Sequence, residues 1–370
     1  MSKRDITLTV VFFFCLAFMG SVYGQEIPDS FKGTIRSLDT GNLSLDKRFE
    51  WAQKEFKKSK KGTFYITGYQ VISRDKINMG GDWEADEPFK VTVKGEKIKV
   101  RGRSIRTECE ESYESERGSA PAALIFLHKT TESGSEIKDM HFLDLDRMYE
   151  FTETPIYWLG NVDNDESLAF LEHKLDKGNE RIQDSFVFAI YMHDHPKVCD
   201  KLYGIARGKY NTSVRKNAIF WIGNFKDEKS FRYLKTILRE EESAQLKEQV
   251  VFALYLNDTE KAIKELIHIA KNDESRKVRK NAVFWLGQKA STECVKALKD
   301  MIEGPDEDAG IKESAVFAIG QLPKDEAVPM LIDIAKTNKN PKVRKQAIFW
   351  LGQTGDDEAL KFFEDILLKK

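Results

Sequence analysis

The chain has 370 residues, with 59 Lys and Arg against 60 Asp and Glu and a formal net charge of −1. Charged residues make up 32% and hydrophobic ones 41%, which excludes both a disordered chain and a polytopic membrane protein. The even charge balance leaves no basic footprint for nucleic acid.

The first segment reads as an export signal. Lys3 and Arg4 precede an apolar run from Ile6 to Gly20, and modest residues up to Gly24 suit signal peptidase. The expected signal peptide is therefore 1–24. The run is short for a membrane-spanning helix, and an uncleaved anchor is the alternative. The cysteines are Cys15, Cys109, Cys199 and Cys294, too widely spaced for a disulfide framework. Export with few cysteines suits a periplasmic or secreted protein of a bacterial host.

Residues 25–150 show no long-period repeat and predict a small β-rich domain. Leu45–Lys60 reads as an amphipathic helix, and Thr63–Ile72 is β-prone. Phe89–Gly102 alternates around Lys94-Gly95-Glu96, a hairpin signal. Ala122–Thr130 and Ile137–Phe151 flank a second turn of the same kind. Such a domain would cap the open end of whatever follows.

From residue 151 to 370 the chain repeats. Three decamers nearly match: VRKNAIFWIG from Val214, VRKNAVFWLG from Val278 and VRKQAIFWLG from Val343. Weaker copies start at Phe151, Ile182, Leu246 and Ile311. The seven decamers end at Gly160, Tyr191, Gly223, Tyr255, Gly287, Gly320 and Gly352, in steps of 31 to 33 residues. Each period also holds a second amphipathic segment, as in Asp227–Leu238, Thr259–Ala270 and Asp325–Ala335. A lone helix pair of this size cannot bury its apolar face, whereas stacked pairs can, which predicts an α-solenoid. Glu358–Lys370 would be a lone, polar C-terminal capping helix.

These residues resemble a HEAT repeat, of the short type named from phycobilisome lyases. The resemblance rests on Val-Arg-x-x-Ala in the second helix and on the polar pairs Asp273 with Arg279 and Asn338 with Arg344. Pro329 matches the first-helix proline, while Lys209 before Arg215 departs from the pattern. The resemblance implies a mainly α fold, a right-handed α-solenoid of about seven helix pairs over 151–370. It says little about function, because this fold hosts many.

The decamer can be read by geometry, numbering it 0 to 9 and turning 100° per residue. Positions 0, 4, 7 and 8 form the expected core stripe. Position 7 alternates between Trp (158, 221, 285, 350) and Ala (189, 253, 318), so each large ring is expected over the small residue of the next repeat. Position 2 alternates in sign from Asp184 through Lys216, Glu248, Lys280, Glu313 and Lys345, which predicts a charge ladder across repeats. Position 6 is aromatic throughout: Tyr157, Phe188, Phe220, Phe252, Phe284, Phe317 and Phe349. Position 5 is always Ile or Val. Positions 5 and 6 together are either a packed seam between repeats or, at position 6, the aromatic floor of an open groove.

Chemistry is sparse. His193-Asp194-His195 is the one histidine cluster, readable as a weak metal site on His193 and His195 or as a turn with Asp194 capping a helix. Iron hydroxylases built on HEAT repeats use His-Glu dyads, and the chain has none. No P-loop, dinucleotide glycine pattern or nucleophile elbow is present. No cofactor is expected. The expected function is a non-enzymatic, exported scaffold that binds a protein or peptide through position 6 with Lys216, Lys280 and Lys345. No nucleic acid, and no membrane span after signal cleavage, is expected. The alternative is a lyase-like or metal-dependent enzyme.

Overall fold

The structure is a computed structural model that describes residues 27–37, 43–59, 62–74, 89–93, 96–100, 118–132, 134–145, 149–177, 180–304 and 308–368. The expected signal segment, Cys15, Cys109 and the Lys94-Gly95 turn lie outside these residues. The chain divides into two units, Met1–His195 and Pro196–Lys370.

The first unit is built on a five-stranded mixed sheet. Its strands are β1 (Phe31–Ser37), β2 (Phe64–Ser73), β5 (Ala120–Thr131), β6 (Gly134–Asp144) and β7 (Tyr149–Asn161), in the order β1-β7-β2-β5-β6. β7 runs parallel to both β1 and β2, while β5 is antiparallel to β2 and β6. β3 (Phe89–Val93) and β4 (Glu96–Val100) form a separate antiparallel hairpin. Both expected hairpins are present. One face of the large sheet buries Phe31, Ile66, Ile125, Ile156 and Trp158. On the other lies α1 (Leu45–Ser59), whose Phe49 stacks at 4.5 Å on Phe170 of α2 (Asn164–Lys177). Buried Arg48 donates to the carbonyls of Leu159 and Asn161, both at 3.0 Å, and so ties α1 to the end of β7. The unit is completed by α3 (Glu180–Met192).

Phe151–Gly160, read above as the first repeat, is a strand. It is rich in β-branched and aromatic residues, and Pro155 would break a helix there because it lacks an N–H. In β7 the proline falls where the pairing with β1 slips, between Gly33 opposite Phe151 and Ile35 opposite Ile156. A bulge is where a strand tolerates proline. The expected boundary at 150/151 therefore moves to 195/196, and the pair α2–α3 belongs to the sheet unit.

The second unit holds five helix pairs and a lone helix. The first helices are α4 (Val198–Arg207), α6 (Glu228–Glu240), α8 (Glu260–Asn272), α10 (Thr292–Glu303) and α12 (Lys324–Thr337). The second helices are α5 (Thr212–Gly223), α7 (Ala244–Asn257), α9 (Arg276–Lys289), α11 (Ala309–Gly320) and α13 (Pro341–Thr354). α14 (Asp357–Leu368) ends the unit. Helix starts are fixed by side-chain caps from Asn211, Asp227, Thr259, Ser275, Ser291, Asp308 and Asn340. Helix ends are held by position 1 of the following decamer. Arg215 donates to the Ala206 carbonyl at 2.7 Å, Arg279 to that of Asp273 at 2.7 Å and Arg344 to that of Asn338 at 2.8 Å. The polar pair of the motif thus works through main-chain carbonyls at a helix C-terminus, where a cation is favourable. Arg215 manages without an acid at residue 209, pairing instead with Glu241.

Positions 0, 4 and 8 are buried in every second helix, as expected. Position 5 joins them: Ile219, Val251, Val283 and Val316 are fully buried. Successive second helices pack directly side by side, whereas first helices touch one another little. The close approach is made by small residues. A methyl group on Gly223 would lie 2.6 Å from the Ala253 carbonyl oxygen, and one on Gly287 would lie 2.7 Å from the Ala318 Cβ. The array therefore curves toward its second helices.

α14 does not make the polar cap expected of it. Leu360, Ile366, Leu367 and Leu368 are exposed on it, and α13 leaves Ile348 and Phe349 40% and 54% exposed because no further second helix covers them.

Gly223→Ala should lower the stability of the array by about 1–3 kcal/mol through overpacking against α7. Gly352→Ala, with nothing within 4 Å of the new methyl, should instead gain up to about 1 kcal/mol from helix propensity. Thermal melts of the two variants check this; equal shifts would contradict the close approach.

Candidate functional site

The open face of the second helices carries a ladder of rings. Phe220 and Phe252 stack at 5.9 Å, Phe252 and Trp285 at 4.5 Å, and Phe284 and Phe317 at 6.4 Å. Phe284 meets Trp285 edge-on at 4.9 Å, and Phe317 lies 5.0 Å from Trp350. The series runs unbroken from α5 to α13, and Phe220, Phe252, Phe284 and Phe317 are all half-buried. Their inner edges pack on neighbouring rings and their outer edges face the concave side. Two candidates fall outside it. Tyr157 is buried in β7, and Phe188 lies on α3 in the other unit.

The tryptophans of position 7 depart from the core stripe. Trp285 leaves its own partner helix and stacks on Phe252 and Tyr255 of the preceding second helix, at 4.5 and 4.7 Å. The alanines of position 7 do face a small partner, but it is the glycine at position 9 of the preceding repeat. The doublet is real and its pairing is different from the expected ring-over-alanine. Where a helix ends in glycine the next brings alanine, and where it ends in Tyr255 the next brings Trp285. Gly320 then makes room for the Trp350 indole, 3.2 Å from where its methyl would sit.

The expected charge ladder at position 2 does not form. Glu248 pairs with Lys277 at 2.8 Å and not with Lys216 or Lys280. The cross-repeat ion pairs lie on the first helices and turns instead: Lys229 with Asp200, Lys261 with Glu228, Lys235 with Glu265 and Arg276 with Asp308, at 2.7 to 2.8 Å. Tyr203 and Tyr233 stack at 4.0 Å on the same convex side. Lys216, Lys280 and Lys345 are left facing the groove side without an acid partner among the described residues.

Between α5 and α7 the groove opens to about 580 Å³, lined by Thr212, Ser213, Lys216, Asn217, Phe220, Gln245, Gln249 and Phe252. The amides were missed by the sequence reading. Asn217 and Gln249 occupy position 3, whose residues in the array are Asn217, Gln249, Asn281, Ser314 and Gln346. A column of hydrogen-bonding side chains next to an aromatic column was the signal that could have found them.

The histidine turn is no metal site. His193 is buried, its Nδ1 2.6 Å from the Ala189 carbonyl and its Nε2 2.8 Å from the Ser167 hydroxyl, which also meets Tyr69 at 2.9 Å. His195 turns the other way, 3.4 Å from Asp165. Asp194 accepts from the Ser119 hydroxyl and caps no helix. Among the described residues no three His, Cys, Asp or Glu are placed to hold a metal ion. Cys199 and Cys294 are buried and not joined in a disulfide.

Residues 305–370 match the family model for HEAT repeats. The C-terminal unit is an array of HEAT repeats. No curated protein matches the chain. Among solved structures, human deoxyhypusine hydroxylase with glycerol is 16% identical, with a TM-score of 0.25 over 55% of this chain and 79% of that one. The CpcE–CpcF complex of phycocyanin lyase from Nostoc is 16% identical, at 0.31 over 54% and 80%. AlkD2 from Streptococcus mutans is 16% identical, at 0.36 over 52% and 99%. None of their activities carries over on such a likeness. No described helix is long and apolar enough to cross a membrane.

Two buried histidines set an acid limit on the sheet unit. Burial pushes His193 down to about 4, helped by the charge of His195 and opposed by its bond to Ala189. Burial, helped by the Lys174 charge, pushes His128 down to about 3; its Nε2 lies 2.8 Å from the Thr67 hydroxyl. The unfolded chain takes up these protons near pH 6.5 and the folded one does not, so stability is lost as pH falls below that value. Each histidine should cost about 1.4 kcal/mol per pH unit. The HEAT array holds only His268, which is exposed. Hydrogen exchange at pH 6.5 and 5, corrected for intrinsic rates, should show the sheet weakening first; equal weakening of both units would contradict this.

Proposed function

We propose that the chain is an exported, non-enzymatic binding module that holds a protein or peptide partner in the concave groove of its HEAT array. The observation that carries this reading is the half-exposed ring ladder from Phe220 to Trp350. A protein that needed these rings only for stability would bury them, as it buries the neighbouring position 5. Aromatic anchors also concentrate binding energy in interfaces. Lys216, Lys280 and Lys345 supply positive charge along the same side. Export, to a periplasmic or secreted destination, rests on the basic start and apolar run before Gln25.

The test compares Phe252→Ala with Val251→Ala. Phe252→Ala should lose about 2 kcal/mol or more of partner affinity, roughly 30-fold, while melting close to the wild type. Val251→Ala, in the sealed seam, should destabilise the fold more than it weakens capture. Partner retention from the exported fraction and thermal melts on both variants read this out. The reverse pattern would leave the ladder as packing alone. Recovery of the chain from a cytoplasmic fraction with residues 1–24 intact would refute export.

A further inference from the structure

Position 3 of the second helices carries hydrogen-bonding capacity that the fold does not use. Ser314 spends its hydroxyl on the Gly310 carbonyl at 2.8 Å. Asn217, Gln249, Asn281 and Gln346 have no hydrogen-bond partner among the described residues. All four are half-buried, and the Asn281 Oδ1 is buried with nothing to accept from. A half-buried amide without a partner is costly, and native folds leave few of them. Four in register along one groove, beside a continuous ring ladder, form a row of sites waiting for the same chemistry.

That chemistry is a peptide main chain. A side-chain amide offers one acceptor and a donor pair, which match a backbone N–H and C=O. The spacing selects the conformation. Packed helices lie about 8–10 Å apart. A polyproline II chain rises about 3.1 Å per residue with three residues per turn, so each turn spans about 9 Å. Every third residue of such a chain would therefore present the same face to successive repeats. A β-strand alternates every second residue and would fall out of step. A polyproline II segment also has no internal hydrogen bonds, so its main-chain groups are available, and aromatic grooves hold its side chains. The lining of the α5–α7 groove contains one charged group, Lys216, and no acid.

We infer that the array binds an extended, polyproline II-like segment of another protein, its main chain held by Asn217, Gln249, Asn281 and Gln346 and a carboxylate seated at Lys216. This rests on the groove reading above and specifies what the groove takes.

The test uses the full chain and a fluorescent synthetic peptide of about twelve residues, with proline at every third position and glutamate at every sixth. A second peptide carries the same side chains, with its main-chain N–H groups methylated at the non-proline positions. Fluorescence anisotropy measures both against the wild type, Phe252→Ala and the triple variant Asn217→Ala, Gln249→Ala, Asn281→Ala. The wild type should bind the parent peptide and lose about tenfold or more on methylation. In the triple variant that methylation penalty should vanish, with the melting temperature preserved. If Phe252→Ala weakens binding but methylation costs nothing, or its cost persists in the triple variant, the main-chain inference falls and the groove reading stands. If the parent peptide fails to bind the wild type at millimolar concentration, both fall.

Discussion

The HEAT array depends on how closely its second helices approach one another. Gly223 against Ala253 and Gly287 against Ala318 leave no room for a methyl group between the backbones. First helices, bearing long charged side chains, stay further apart. The difference curves the array, and curvature decides which face is concave. It also sorts the decamer. Position 5 falls into the seam and is sealed, while position 6 is carried past the neighbouring helix and keeps an edge in solvent. The alternation of Trp and Ala at position 7 follows from the same constraint, since every other interface closes on Gly and Ala and the next is filled by Tyr255 or Phe317 with an indole.

The two faces of the array divide the electrostatic labour. The convex face spends its charges on pairs between neighbouring repeats, such as Lys261 with Glu228 and Lys235 with Glu265. Exposed pairs of this kind contribute only about 0–1 kcal/mol each. Their regular spacing still favours one order of repeats over a slipped one, because a shift would set like charges together. The concave face leaves Lys216, Lys280, Lys345 and the amides of position 3 without such partners. A folded chain that saturates one face and leaves the other unsatisfied has kept the second for something else.

The helix pairs from α4 onward were legible in the sequence because their signal is redundant: period, apolar stripe, caps and position-1 cations all agree. The fold of 151–160 was not. FTETPIYWLG shares the Tyr-Trp-Leu-Gly ending of the true repeats, and end similarity outweighed Pro155 and the threonines. Local chemistry was the better guide there. The histidine turn misled for another reason: sequence adjacency placed His193 and His195 together, and opposite side-chain directions took one into the core toward Ser167 and the other toward Asp165. The ring ladder was legible as a column of identical residue types, though its exposure was not, because helical-wheel angles do not encode the distance to the neighbouring helix. The amide column escaped notice since Asn, Gln and Ser are different letters with one chemistry. The ion-pair ladder was expected at position 2 from alternating sign, yet contact requires reach as well as sign, and the first helices supply it.

The central claim is that positions 5 and 6, adjacent in sequence, sit on opposite sides of a sealed seam. Hydroxyl-radical footprinting of the full chain, read by mass spectrometry at single residues, tests it most directly. The account predicts that Phe220, Phe252, Phe284 and Phe317 are labelled, that Ile219, Val251, Val283 and Val316 are protected, and that Ile348 and Phe349 are both labelled at the open end. Protection of the four rings to the level of their position-5 neighbours would contradict it.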